Sequence, residues 1–262
     1  MLEVIDKGSV TESHPAPLVF VHGAWHAAWC WNEYFLDYFA HSGYRALAVS
    51  LRGHGDSSVP ESPRKVSFAD YVDDVAAVAD TLPRRPVVIG HSMGGSVVQK
   101  YLETHEAPLG VLIASVPPSG NPGFLMRWAK KHPWHFTTVM LTGKSLRRLN
   151  TPELAREKMF SPYTAESDVV RHAARLEEEH SRRISVESPV VTRRSPNKVS
   201  TRLLVLGAEC DGCITAKELH ATARAYGTEA EVFPRMGHDM MLEPGWQAVA
   251  ERIDGWLTGQ GL

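Results

Sequence analysis

Five short apolar runs set the tightest limit on what this 262-residue chain can fold into. "PLVFVH" (17–22), "YRALAVS" (44–50), "PVVIGH" (86–91), "GVLIASV" (110–116) and "RLLVLG" (202–207) scarcely interrupt their apolar character. A strand with one wet face alternates polar and apolar residues. A strand buried on both faces does not, and such strands belong to parallel sheets covered by helices on either side. "EAEVFPRM" (229–236) is a shorter candidate. Between the runs lie stretches of helical period at 32–43, 67–82, 93–105, 215–226 and 245–258. The first ends at Gly43; the second opens with Ser67 and Asp70 at capping-box spacing and is closed by Pro83. Strand and helix in alternation predict an α/β fold, a doubly wound and mostly parallel sheet. A chain of this length buries roughly 70–75% of its unfolded surface and needs neither disulfide nor metal to hold a core.

The alternation breaks between Pro117 and Ser200, where "FLMRWAKKH" (124–132), "TPELAREKMF" (151–160) and "TAESDVVRHAARLEEEH" (164–180) read as helices. Thr151 followed by Pro152 is an N-cap and N1 pair. "VPPSGNPG" and "ESPVVTRRSPNK" bound the region. The expected division is therefore a core of residues 1–116 and 201–262, with residues 117–200 inserted as a helical cap. The cap holds fifteen Lys and Arg against eight Asp and Glu, a net +7, while the rest of the chain carries −9. A solvated helical surface accounts for this balance. A sharper reading makes the cap a lid whose field gathers anionic substrates over a cleft.

The run at 86–91 ends in Gly90-His91-Ser92-Met93-Gly94, a G-x-S-x-G between a strand and a helix pattern. At so tight a turn the serine is held in a strained conformation, and the residues two before and two after pass too close for a Cβ. Ser92 is thus the candidate nucleophile. The helix starting behind it aims free N–H groups at an oxyanion. Backbone donors for that charge are expected from Met93 and, after the strand "VFVHG", from Ala24.

A serine needs a base, and the base an orienting acid. With this topology the chain order is nucleophile, acid, histidine. Of 13 histidines, His238 lies after the last strand pattern, in "PRMGHDMMLEPGW". His220 sits within a helix pattern, and His91 should point into the sheet. Beyond "RLLVLG" stand Glu209 and Asp211; Asp211 is the preferred acid and Glu209 the alternative. The loop "SVPPSG" after the preceding strand has no carboxylate.

Together "HGAWHAAWCW", "LRGHGDS", "GHSMGG", "LLVLGAECDG" and "GHDMMLEP" resemble the α/β-hydrolase superfamily. Within it, the chain is most similar to lysophospholipase-like bacterial hydrolases and to the plant methylesterase and hydroxynitrile lyase branch. The resemblance implies Ser92, Asp211 and His238 as a triad and the Ala24 and Met93 amides as an oxyanion hole. Gly23 and Asp239 depart from the lyases, which resemble one another in a threonine and a lysine there, so cyanohydrin cleavage is not expected. Serine rather than aspartate at 92 argues against the dehalogenases and epoxide hydrolases of this fold. "GAECD" is one residue longer than the commoner G-x-x-D, which keeps Glu209 open.

Other features read as structure. Cys210 and Cys213 form a C-x-x-C, but no second ligand pair accompanies them, so no metal is expected. "RGHGDSS" (52–58) supports the oxyanion segment. Trp25, Trp29 and Trp31 are core and pocket wall, with Trp25 facing substrate; Phe124, Trp128 and Met140 are placed on the pocket by position alone. A net charge of −2 gives no pull toward nucleic acid or anionic membrane. No apolar run nears the ~18 residues of a span. Three cysteines, with acids at Glu3 and Asp6 in place of a signal-like start, point to the cytoplasm.

The expected function is a serine hydrolase of esterase type acting on a small ester or thioester, without cofactor. Three rivals share the residues: an acyltransferase or thioesterase on carrier-bound acyl groups, a cofactor-free C–C hydrolase or lyase, and a small-ligand receptor that retains the triad. Product analysis separates the first, survival of activity without the serine the second, and single turnover the third. Oligomeric state is not encoded in these features.

Overall fold

A computed structural model of the chain describes residues 1–59, 66–142, 151–178 and 194–262. Residues 179–180 of the 164–180 pattern, most of the boundary stretch 187–198, and the basic residues Lys144, Arg147, Arg148, Arg182, Arg183 and Arg193 lie outside the described residues, and the helix of that pattern already ends at Ala173, short of the expected 180.

Among the described residues seven strands form one sheet: β1 (Val4–Lys7), β2 (Leu18–Val21), β3 (Ala46–Val49), β4 (Val87–His91), β5 (Gly110–Ile113), β6 (Leu203–Ala208) and β7 (Ala230–Phe233), in the order β1-β3-β2-β4-β5-β6-β7. All pairs are parallel except β1 with β3. The five expected runs are the five central strands, buried along their whole length. Their residues alternate between two cores as the period of a strand requires. Leu18 and Phe20 join Trp31, Phe35, Ile89, Leu206 and Ile253 on one face. Val19 and Val21 join Val75, Val88, Val97, Leu112 and Leu219 on the other. The first face is covered by α1 (Trp29–Asn32), α2 (Phe35–His41) and α10 (Trp246–Gly259), the second by α3 (Phe68–Asp80), α4 (Met93–Tyr101) and α9 (Ala216–Ala225). Between β5 and β6 come α5 (Pro122–Lys131), α6 (Pro133–Thr142), α7 (Pro152–Met159) and α8 (Glu166–Ala173).

Local signals hold where they were specific. Ser67 and Asp70 make the reciprocal capping box of α3, and the Thr151 hydroxyl caps α7 at the Leu154 amide. The helix expected over 32–43 covers only Phe35–His41; Asn32 ends the separate α1, and the chain breaks before α2 at Tyr34, whose ring stacks flat on Trp246 at 4.9 Å. Glu33, in the same break, pairs with Arg171 and Arg175. The strand expected over 110–116 stops at Ile113 because Ala114 takes a positive φ of 45° and turns the chain.

From β2 the chain moves to β3 on one side, then crosses to β4 on the other. The crevice at the carboxyl ends of two such strands is where open α/β sheets bind ligands. The loops after β2, β4, β6 and β7 carry the residues of interest to this edge.

Candidate active site

Ser92 stands between the end of β4 and the first residue of α4, with φ 51° and ψ −115°. That strained conformation is held by three bonds: Ser92 N–H donates to Ile113 O (3.0 Å), and Ser92 O accepts from Val116 N (3.1 Å) and Ser96 N (3.3 Å). Strain at such a position persists only when its surroundings over-determine it. A Cβ on Gly90 would run into the Gly94 carbonyl, and one on Gly94 into the carbonyls of Val21 and His22. Both glycines are therefore required for close approach. Although Ser92 occupies the N-cap position, its hydroxyl caps nothing. It faces His238 instead, with Oγ 2.9 Å from Nε2.

His238 lies five residues beyond β7 and is nearly fully buried. Its Nδ1–H donates to Asp211 Oδ2 at 2.8 Å. Asp211 follows β6 by three residues, and its other oxygen accepts the amides of Cys213 (2.7 Å) and Ile214 (2.8 Å). The C-x-x-C is thus the turn that aims the carboxylate. Both cysteines are free, and burial pushes the Cys213 thiol well above its ordinary range. Glu209 is exposed and its carboxylate accepts the Arg235 amide, away from His238. Burial disfavours the His238 cation, but the Asp211 charge and hydrogen bond, with Asp239 behind them, outweigh it and raise the imidazole above 6.5.

The loop after β2 brings Ala24 to the same edge. His22 Nδ1–H donates to Gly23 O at 2.7 Å, pinning the peptide unit whose N–H is that of Ala24. Its Nε2 accepts the Leu51 amide at 3.0 Å, so His22 is a neutral ring with one donor and one acceptor. Among the described residues neither the Ala24 nor the Met93 amide has another partner.

The end of α7 and the turn after it, residues 157–164, are fastened to these loops. A Cβ on Gly237 would meet Ser161 N at 2.5 Å, and one on Gly212 would strike the Glu157 carbonyl, so the C-terminal end of α7 lies against both the acid and the histidine loops. Buried Glu243 accepts from Ser161 N (2.7 Å), Ser161 Oγ (2.6 Å) and Thr164 Oγ1 (2.7 Å). At the start of α5, Asn121 Nδ2 and Arg127 donate to Cys213 O. Of the proposed pocket residues, Phe124 packs against the core face that includes Met93 and Cys213, and Trp25 is half-buried with φ 65°. Trp128 is buried between Phe124 and Phe136. Met140 is on α6, which packs on α5, and is exposed.

Asp211, Cys213 and His238, and likewise His91, His238 and Asp239, hold ligand-type atoms within 4.8 Å of one another. In both groups the imidazole of His238 is already committed to Asp211 and Ser92, and Cys213 is held as the thiol, so neither donor set suits a cation.

A model of the alpha/beta hydrolase family matches residues 18–252. The chain belongs to the alpha/beta hydrolase family. It is similar to a non-heme chloroperoxidase of Streptomyces lividans, 39% identical over 106 residues, which are 39% of this chain and 37% of that one. It is also similar to a bifunctional esterase/perhydrolase of Acinetobacter calcoaceticus, 35% identical over 108 residues, 39% of this chain and 38% of the relative. The matched segments thus span less than two fifths of these relatives. Among solved structures, a thermophilic esterase from Thermogutta terrifontis superposes with a TM-score of 0.75 at 20% identity, covering 100% of this chain and 94% of that one. Among the described residues of this family member, no helix is long and apolar enough to cross a membrane.

Sequence reasoning left two features unused. His26 and Asp239, 213 positions apart, form a buried pair, and His91 donates from Nε2 to the carbonyl of His238 at 3.0 Å. Burial and the neighbouring His238 push His91 down to about 3, and burial holds His22 well below its ordinary value. The unfolded chain protonates both near 6.5 and the folded chain does not, so their stabilisation is complete above 6.5 and declines as pH falls toward 3. We expect the free energy of unfolding from urea titrations to fall by about 1.4 kcal/mol per pH unit between pH 6 and 4 from His91 alone, with His22 adding to the fall. His91→Gln should remove that part of the slope; a slope unchanged by the substitution would contradict the assignment.

Proposed function

We propose that the protein is a serine hydrolase that cleaves a small carboxylic ester or thioester through an acyl-enzyme. The observation that carries this reading is the unbroken chain from Ser92 Oγ through His238 to Asp211, with steps of 2.9 and 2.8 Å. His238 Nε2 takes the hydroxyl proton as Ser92 Oγ attacks the carbonyl carbon, and Asp211 holds the ring in the tautomer that leaves Nε2 free to accept. The developing oxyanion is met by the amides of Ala24 and Met93. His238 then returns the proton to the departing alkoxide or thiolate. In the second half it draws a proton from water as the hydroxide adds to the acyl carbon; the bond to Ser92 Oγ then breaks, His238 returns the proton to that oxygen, and the carboxylic acid leaves. The esterase names among the relatives and structural neighbours agree with acyl chemistry at this site.

Residues 117–200 are read as the lid over this site, with Phe124 and Trp25 as walls. Its excess of positive charge favours anionic substrates. The test is trapping: a fluorophosphonate should add one phosphonyl group per chain, and peptide mass mapping should place it on Ser92. Labelling elsewhere, or none, would overturn the nucleophile.

A further inference from the structure

His26 sits in the loop after β2 and Asp239 directly follows His238; both side chains are buried to within 1%. The His26 ring has two polar neighbours. Nδ1 lies 2.8 Å from the Ala24 carbonyl and Nε2 lies 3.1 Å from Asp239 Oδ2. Both are acceptors, so each bond needs a proton on the ring, and a neutral imidazole has only one. His22, four residues earlier, is the contrast, with one acceptor and one donor in front of it.

Asp239 makes the complementary demand. Its carboxylate is removed from water, and no Lys or Arg among the described residues forms an ion pair with it. Oδ1 has no hydrogen-bond partner; the nearest ring, His91, stands 3.8 Å away and gives its proton to His238 O. A buried carboxylate without a cation costs several kcal/mol, and His26 is the group placed to supply one. Burial pushes the Asp239 carboxyl up, but the charge and hydrogen bond of His26, with His91 and His238, hold it below the usual range.

We propose that His26 is a standing imidazolium, and that its pairing with Asp239 is the positioning device that fixes the Ala24 loop against the His238 loop. The loop needs such a hold. Trp25 is strained at φ 65°, and its carbonyl accepts from Glu177 N at 2.8 Å. His26 grips Ala24, the residue whose amide faces the oxyanion, while Asp239 grips the backbone neighbour of the base. The pair thereby joins the donor that stabilises the transition state to the group that moves the proton. Its surroundings are His91, with its ring 6.2 Å from that of His26, and Trp29, stacked on His26 and carrying the Arg175 guanidinium on its face at 4.2 Å. Cys30, His172, Cys213 and His238 also feel the charge of Asp239.

This inference rests on the reading of Ser92 as nucleophile, and its test separates the two. In histidine-15N-labelled protein at neutral pH, the His26 ring, assigned by its disappearance in His26→Asn, should show protons on both nitrogens. That readout needs no turnover. A ring with one bare nitrogen would overturn the proposal even if fluorophosphonate labels Ser92; two protons without labelling would sink the hydrolase reading alone. Asp239→Asn keeps an acceptor but removes the anion. It should lower kcat for p-nitrophenyl acetate roughly 10- to 100-fold, below the loss of a whole oxyanion donor, with KM within about twofold. It should also move the acid limb of kcat/KM to lower pH, because His238 loses an anion that favours its cation. Parental kcat and an unmoved limb would overturn the positioning role. Should Asp239→Asn fail to fold, His26→Asn carries the kinetic arm. It retains a donor toward Ala24 but cannot reach Asp239, and the same fall in kcat is expected, parental kcat again being the overturning result.

Discussion

Ser92→Ala is expected to lower kcat for p-nitrophenyl esters roughly 10⁵- to 10⁶-fold while leaving the fold intact. The size follows from the lack of a substitute. Of the hydroxyls nearby, Ser96 and Ser115 are buried, and Ser115 Oγ already binds Gln99. The Cys213 thiol is buried, its ionisation suppressed, and its sulfur turned to the Lys158 carbonyl at 3.6 Å. The remaining rate would come from the two amides and from substrate binding, which do not depend on the hydroxyl. Stability should change little, because the bonds that hold φ 51° at position 92 are all from backbone atoms and alanine can make them. Melting curves and initial rates on one preparation check both halves. A variant that retains the parental rate would remove the acyl-enzyme, and with it the distinction from a lyase or C–C hydrolase working through His238 alone.

Much of the fold was legible because it rests on short-range pattern. The five continuous apolar runs are buried on both faces, and that demand is written in consecutive residues. G-x-S-x-G was legible because a steric requirement at Gly90 and Gly94 fixes residue type at fixed offsets. What escaped was of two kinds. β1 is a four-residue edge strand, half exposed, with too few apolar positions to register, and α6 reads "PWHFTTVMLT" with no apolar stripe of helical period. The other kind is polar pairing across the fold. In the sequence His26 is one residue of "HGAWHAAWCW" and Asp239 only a departure from the lyases after His238. Nothing local says that the two meet, and the same holds for Glu243 and its grip on Ser161 and Thr164. Such contacts depend on loops after β2, β7 and α7 converging, which sequence spacing does not measure. The choice between Glu209 and Asp211 lay between the two cases: the sequence brought both past β6, and only the turn at Cys213 decides which carboxylate faces His238.

That choice is testable with an effect second only to loss of the serine. Asp211→Asn is expected to lower kcat about 10⁴-fold, and Glu209→Gln to leave it within about twofold. Asparagine can still accept the Cys213 and Ile214 amides through Oδ1, so the turn survives. Its NH2 then occupies the place of Oδ2 and offers a proton to His238 Nδ1 instead of accepting one. The ring answers by placing its own proton on Nε2, where it faces Ser92 Oγ across 2.9 Å and can no longer take the hydroxyl proton. The loss is therefore one of tautomer, with substrate binding intact, and KM should stay near the parental value. Glu209 holds only the Arg235 amide on the surface, a bond that glutamine Oε1 can keep. Kinetics of the two variants at one pH decide the matter: equal rates, or a larger fall for Glu209→Gln, would mean that the carboxylate 2.8 Å from Nδ1 is not the one that orients the base.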